Sequence, residues 1–186
     1  MKRISGPTVW AAAAAFLLAA GCVTNPITGE RQLSFYGKSD LVAMAQQASP
    51  AQFSSDYGEA SDAQAGAYVT AVGRRLVATL TARDVVNADM PFSFHVVNAV
   101  YVNAYAFPGG TVAITRGMLA ELENEAQLAA VLGHEIAHVN CGHTASAMSK
   151  GAVLDVVVAG TKDYLAKKGS SWAEAVSFLR TSACVL

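Results

Sequence analysis

The chain is 186 residues long, 53% hydrophobic and 15% charged, with a formal net charge of −1. That balance excludes a disordered polyelectrolyte and suits one folded domain. With no basic cluster and no interleaving of basic and aromatic residues, it offers nucleic acid no surface.

The first 21 residues carry Lys2 and Arg3, no acidic residue, and an apolar, alanine-rich stretch from Val9 to Ala20. This is the pattern of a secretory signal and stands apart from the folded body. It closes on Leu17-Leu18-Ala19-Ala20-Gly21-Cys22, which resembles a bacterial lipobox. The resemblance implies cleavage before Cys22 and lipidation of its thiol, with Ala19 standing where leucine is preferred. The alternative is an ordinary cleaved signal with an incidental cysteine. Val23 is not an aspartate, so in a Gram-negative host the expected address is the outer membrane, facing the periplasm, with a lipid as the contact with the membrane.

The expected organisation is a signal peptide at 1–21, a tether at 22–37 and a folded domain at 38–186. The tether is rich in turn formers from Thr24 to Leu33. Lys38 to Gln47 and Asp62 to Leu80 have helical patterning. In the second, Tyr68, Val72, Leu76 and Leu80 recur every fourth position, Val69 and Val77 widen the stripe, and Arg74 and Arg75 lie off it. Turn residues from Asn87 to Pro91 precede a β-branched and aromatic run, Phe92 to Val97, which predicts a strand. A second strand is expected near Val100 to Ala106. Pro108-Gly109-Gly110 then marks a tight turn, and Thr111 to Thr115 is the returning strand.

Asn124 is placed to cap a helix on which Leu128, Val131, Leu132, Glu135, Ile136 and Val139 share one face. Cys141-Gly142-His143 is a glycine-terminated exit, with further helical material beyond. Gly151 to Gly160 is apolar but short and interrupted by Asp155. A bilayer span needs about 20 apolar residues, so this segment is expected to be a buried core helix. Once Cys22 is lipidated, Cys141 and Cys184 share an oxidising compartment, and a disulfide between them stays open as a question.

The strongest chemical signal is His134-Glu135-Ile136-Ala137-His138. On an α-helix the four-residue spacing puts both imidazoles on one face, where two neutral nitrogens can meet one Zn²⁺ ion. Glu135 follows the first ligand, within reach of a metal-bound water, and is the candidate general base. The bland alternative is a chance pattern on an ordinary helix. Two histidines and a glutamate on an otherwise apolar helix would then be costly groups without a metal to satisfy them.

Three further stretches accompany the motif: Val102 to Thr111, Thr115-Arg116-Gly117-Met118-Leu119, and Asn124 to Val139. With Asn25-Pro26-Ile27-Thr28-Gly29 and Arg31-Gln32-Leu33, they cover most of the chain after the signal. Together they resemble the HtpX-like and BepA-like zinc metallopeptidases, which are related to the CAAX prenyl proteases, and the nearest branch is that of the periplasmic lipoprotein proteases. The resemblance implies an α+β gluzincin fold: a small antiparallel sheet beside the metal helix, mostly helical otherwise, with an edge strand that holds an extended peptide.

It also implies one zinc per chain, His134 and His138 as ligands, and Glu135 as catalytic base. Asn103 and Ala104 match the segment flanking the substrate cleft, with an ordinary turn role for Asn103 as the alternative. His143 matches a histidine just after the metal helix, and a supporting or capping role is expected of it rather than coordination. The implied activity is a zinc metalloendopeptidase of the bacterial envelope, acting on unfolded or misassembled proteins alongside the envelope assembly machinery. The competing functions are a lipid-anchored binding or chaperone-like module without turnover, or an inactive fragment. The fragment expectation comes from the third ligand, a glutamate that the family places within Glu-x-x-x-Asp on a later helix. No such pattern follows His138, where Glu174 is the only downstream glutamate, and the chain stops at Leu186 on an apolar run. The folded domain is therefore expected to be incomplete at its C-terminus, with the third ligand beyond Leu186 and Glu174 the weaker candidate.

Overall fold

The computed structural model describes residues 22–25, 27, 29–80 and 90–168. These fall into two compact units, one of residues 23–147 and one that includes Cys22 and the helical residues from Met148 onward. The signal segment, Glu174, Cys184 and Leu186 lie outside the described residues, as does the side chain of Cys22.

The first elements are two short paired strands, β1 (Cys22–Thr24) and β2 (Arg31–Leu33). Where turn-forming composition suggests a tether, Asn25 and Leu33 are instead buried in the body of the unit. Helix α1 spans Lys38–Ser55, eight residues beyond its expected end, and passes through Pro50. Its Phe53 reaches the sheet.

Helix α2, Ala63–Ala78, is capped by Asp62, whose carboxylate accepts from the Gln64 and Ala65 amides at 2.9 and 3.1 Å. Val69, Val72 and Gly73 are its buried residues, and Tyr68 stands at the rim. The stripe is shifted because Gly73 admits a neighbour. A Cβ there would lie 2.5 Å from the Phe94 ring, so only glycine lets helix and sheet approach this closely.

Strands β3 (Ser93–Val97), β4 (Ala104–Ala106) and β5 (Thr111–Thr115) form one sheet in the order β3-β5-β4. The expected β4–β5 hairpin is present, with Ala104 opposite Ile114. The sheet is mixed rather than wholly antiparallel, because β3 pairs parallel to β5, Ser93 opposite Thr111. Val112 to Thr115 are buried, and so apolar a strand is stable in the centre, covered on both faces. Strand β4 is shorter than expected. Val100 and Val102 are 71% and 55% exposed, outside the ladder.

One face of the sheet packs Phe94, Val96, Val112 and Ile114 against Val69 and Val72 of α2 and against Leu128, Leu132 and Ile136. The other face gathers Val97, Ala113, Tyr105 and Phe107 around Phe53. A short helix α3, Arg116–Glu121, leads to α4, Glu125–Asn140, and then to α5, His143–Lys168. Asn124 caps α4 as expected, accepting from the Gln127 amide at 3.0 Å. Of the expected buried core helix at 151–160, Val153 is buried and Ala152 and Val158 half-buried, while Gly151, Leu154 and Asp155 are exposed; the side chains of 156, 157, 159 and 160 lie outside the described residues. No described helix is long and apolar enough to cross a membrane.

Candidate metal centre

Helix α4 is held to the sheet by Leu128, Leu132, Ile136 and Val139, spaced three and four residues apart and all buried. That anchoring fixes the opposite side of the same helix, where His134 and His138 come together. Their Nε2 atoms are 3.0 Å apart and their rings meet edge to face, with centroids 4.6 Å apart. His134 is exposed, while His138 and Glu135 are half-buried. Two imidazole nitrogens directed at one point, with a carboxylate one residue away, are a donor set suited to zinc. Among the described residues, no group of three His, Cys, Asp or Glu side chains forms a complete metal cage. The third ligand expected beyond Leu186, and Glu174 as its weaker candidate, both fall outside those residues.

His143 does not continue α4. Gly142 adopts a left-handed φ of +63°, breaks the helix and starts a new one, a turn that L side chains rarely make. The reversal returns His143 to His138, Nδ1 to Nδ1 at 2.9 Å, with ring centroids 5.0 Å apart. His138 is thus contacted on both ring nitrogens, by His134 on one side and His143 on the other.

The end of α4 is also held from the start of the chain. Asn25, 1% exposed, donates from Nδ2 to the Cys141 carbonyl at 2.8 Å. Among the described residues, Cys141 is in no disulfide. No feature of the Asn-Pro-Ile-Thr-Gly stretch discloses this contact without the fold.

Strand β4 lies at the sheet edge in contact with α4. Asn103, just before it, is fixed through its backbone. Its amide donates to Thr115 Oγ1 at 3.1 Å, and its carbonyl accepts from the Thr115 amide at 3.0 Å. Ala104 follows in the strand, half-buried. The opposite edge, β3, is partly covered, for the Ala60 amide donates to the Val96 carbonyl at 2.8 Å and the Asn98 amide to Gly58 at 2.9 Å. Strand β4 is the other edge of the described sheet, and its Ala104 and Ala106 pack with Leu128, Leu132 and Ile136 of α4.

A cluster that the sequence did not announce braces this region. Asp56 is buried, with Tyr101 donating to its Oδ1 at 2.6 Å, Tyr105 donating to its Oδ2, and Gln52 donating to Oδ2 at 3.1 Å. Burial pushes the Asp56 carboxyl up, but the three hydrogen bonds outweigh it and leave the pKa below its ordinary value. Tyr105 is raised by burial and then by its bond to Asp56, and Tyr101 chiefly by its bond to Asp56.

Comparison with known proteins points the same way. The family model described as Peptidase family M48 matches residues 63–185. The beta-barrel assembly-enhancing protease of Yersinia pestis is 40% identical over 83 residues, 45% of this chain and 16% of that protein. Its Escherichia coli K12 counterpart is 38% identical over 81 residues, 44% of this chain and 16% of that protein. The mitochondrial metalloendopeptidase OMA1 of Bos taurus is 31% identical over 140 residues, 70% of this chain and 25% of that protein. The chain thus spans only a minor part of the length of these relatives.

Proposed function

The chain belongs to peptidase family M48, and from that premise we propose that it is a zinc metalloendopeptidase. The observation that carries the reading is the approach of His134 and His138 Nε2 to 3.0 Å on one side of α4, with Glu135 the residue after His134. His134 and His138, whose Nε2 atoms lie 3.0 Å apart, are the residues that would hold one Zn²⁺. A third protein ligand would come from outside the described residues, with Glu174 the candidate within this chain.

Bound zinc supplies a water of lowered pKa and polarises the substrate carbonyl. Glu135, the residue after His134, would accept a proton from the attacking water and return it to the leaving amine. For His138 to offer a lone pair at Nε2, its proton must stay on Nδ1, and the Nδ1 contact with His143 holds it there, the usual duty of a ligand histidine's other nitrogen. An extended substrate lies along β4 by backbone hydrogen bonds, passing Asn103 and Ala104.

The names of the bacterial relatives, which describe proteases that enhance β-barrel assembly, support a bacterial-envelope setting and unfolded or misassembled envelope proteins as substrates. We place the chain there, held to the membrane by a lipid on Cys22. The test is the zinc content of the purified chain together with cleavage of an unfolded casein-like substrate, with and without a chelator. Chelator-sensitive cleavage supports the proposal. A folded chain that holds no zinc and cleaves nothing would favour a non-catalytic binding module.

A further inference from the structure

Asn25 opens a motif to which the proposed reaction gives no task, yet it is 1% exposed and bonded to a residue 116 positions away. Its own loop fixes it first. The Asn25 amide donates to the Glu30 carbonyl at 2.8 Å, its carbonyl accepts from Gly29 at 2.8 Å, and its Oδ1 accepts from Ile27 at 2.9 Å. The two ends of the carboxamide are thereby assigned, because Oδ1 must accept and Nδ2 is left to donate. Nδ2 reaches the Cys141 carbonyl at 2.8 Å, with Gln32 Oε1 at 3.4 Å beside it.

Cys141 is the C-cap of α4, where the final carbonyls have no partner within the helix. The next residue is Gly142, whose left-handed turn delivers His143 to His138. The same hairpin flanks that turn, since a Cβ on Gly142 would stand 3.1 Å from Gln32 Nε2. We infer that Asn25 is a positioning residue for the metal centre: by holding the Cys141 carbonyl it fixes the Gly142 turn, and through it the His143 ring that sets the tautomer of His138. The inference rests on the zinc reading above.

The chemistry of the bond ranks the variants. Asn25→Ala removes the donor. Asn25→Asp also places a carboxylate against a carbonyl at the negative end of a helix, which repels. Zinc affinity is measured on the full chain by competition with a chromophoric chelator, with long-range proton–nitrogen spectra of the histidine rings in the metal-free chain. Leu41→Ala, a core truncation in α1 at a site 4% exposed, controls for lost stability alone.

Loss of a partner that supports a ligand costs 10–100-fold in affinity, so Asn25→Ala should weaken zinc about tenfold and Asn25→Asp more. In both, the His138 ring nitrogens should pass from one fixed tautomer to an average, while Leu41→Ala keeps affinity and tautomer. Asn25→Ala with unaltered affinity and unaltered His138 signals overturns the inference. If the unaltered chain holds no zinc, the zinc reading fails, and the metal-free ring signals still decide on Asn25. Should both Asn25 variants fail to fold, linkage supplies the test in the unaltered chain: zinc must slow hydrogen exchange at the Asn25 carboxamide, and exchange indifferent to zinc overturns the inference.

Discussion

Replacing Thr115 by valine should show how firmly the Asn103 segment is held. Thr115 is 0% exposed, and its hydroxyl has several partners. Oγ1 accepts from the Asn103 and Met118 amides, each at 3.1 Å, and its proton is shared between the Tyr101 carbonyl at 2.6 Å and the Asn103 carbonyl at 2.9 Å. Thr115→Val keeps the shape, so no cavity adds to the cost. Loss of the α3 cap costs about 1 kcal/mol. Stranding the Asn103 amide and the Tyr101 carbonyl costs about 1–3 kcal/mol more, limited by water reaching these exposed loop residues. The sum is about 2–4 kcal/mol. At about 2–4 °C per kcal/mol for a body of this size, the midpoint should fall by about 5–15 °C. Thermal and urea unfolding of the full chain read the loss, with Thr115→Ser, which keeps the hydroxyl, as control. Since Asn103 precedes edge strand β4, along which the substrate is proposed to lie, KM for an unfolded substrate should also rise. A stability change within about 0.5 kcal/mol, the range of an inconsequential surface substitution, would refute the claim that this hydroxyl organises the loop.

Glu135→Gln should retain zinc and lower turnover by about 10²–10⁴-fold, because the amide cannot accept a proton from water; full activity would remove Glu135 as base. His134→Ala and His138→Ala should each lose the metal, and normal zinc content in either would reject that ligand. For the Asp56 cluster the carboxylate's depressed pKa makes its contribution complete above the ordinary 3.8 and lost as pH falls through the folded value. The raised tyrosines contribute below their ordinary 10 and lose that contribution as pH rises through their folded values. The stability difference between the unaltered chain and Asp56→Asn should therefore be greatest between about pH 4 and 10 and shrink on both sides; a difference flat across pH would dismiss the cluster. Cys22→Ser should abolish lipid labelling and release the chain from membranes, and unchanged membrane association would require another anchor.

What was legible in the sequence was what local physics determines. The 3.6-residue period of Leu128, Leu132, Ile136 and Val139 places α4 against the sheet, and the same period necessarily puts His134 and His138 together on the other side. Pro108-Gly109-Gly110 foretold the β4–β5 hairpin for the same reason, since the turn is made within a few residues. The parallel pairing of β3 with β5 was not legible, because register across a gap of 18 positions is set by burial on both faces and leaves no local mark. Likewise Val100 and Val102 have strand-forming side chains, but Thr115 binds the Tyr101 carbonyl and keeps that stretch a loop. Tyr68 has helical spacing and still lies at the rim, since Gly73 makes room for the Phe94 ring from another element.

Asn25 shows where local reasoning stops and what could extend it. Turn-forming composition correctly announces a tight loop, and half of the Asn25 carboxamide serves that loop through the Ile27 amide. The other half is a donor whose partner no spacing rule supplies, because it lies 116 residues ahead. The requirement that buried polar groups be paired comes closer. A helix that ends in a left-handed glycine with no lysine or arginine in its last turn, as α4 does at Asn140-Cys141-Gly142, leaves acceptors that need donors from elsewhere. A short, turn-bound asparagine is suited to that need, since it loses little entropy and can donate while its oxygen is engaged. The pairing of loop and helix end is thus a consequence of satisfying every hydrogen-bonding group. Its location next to His138 is what turns a structural bond into one that the metal centre should feel.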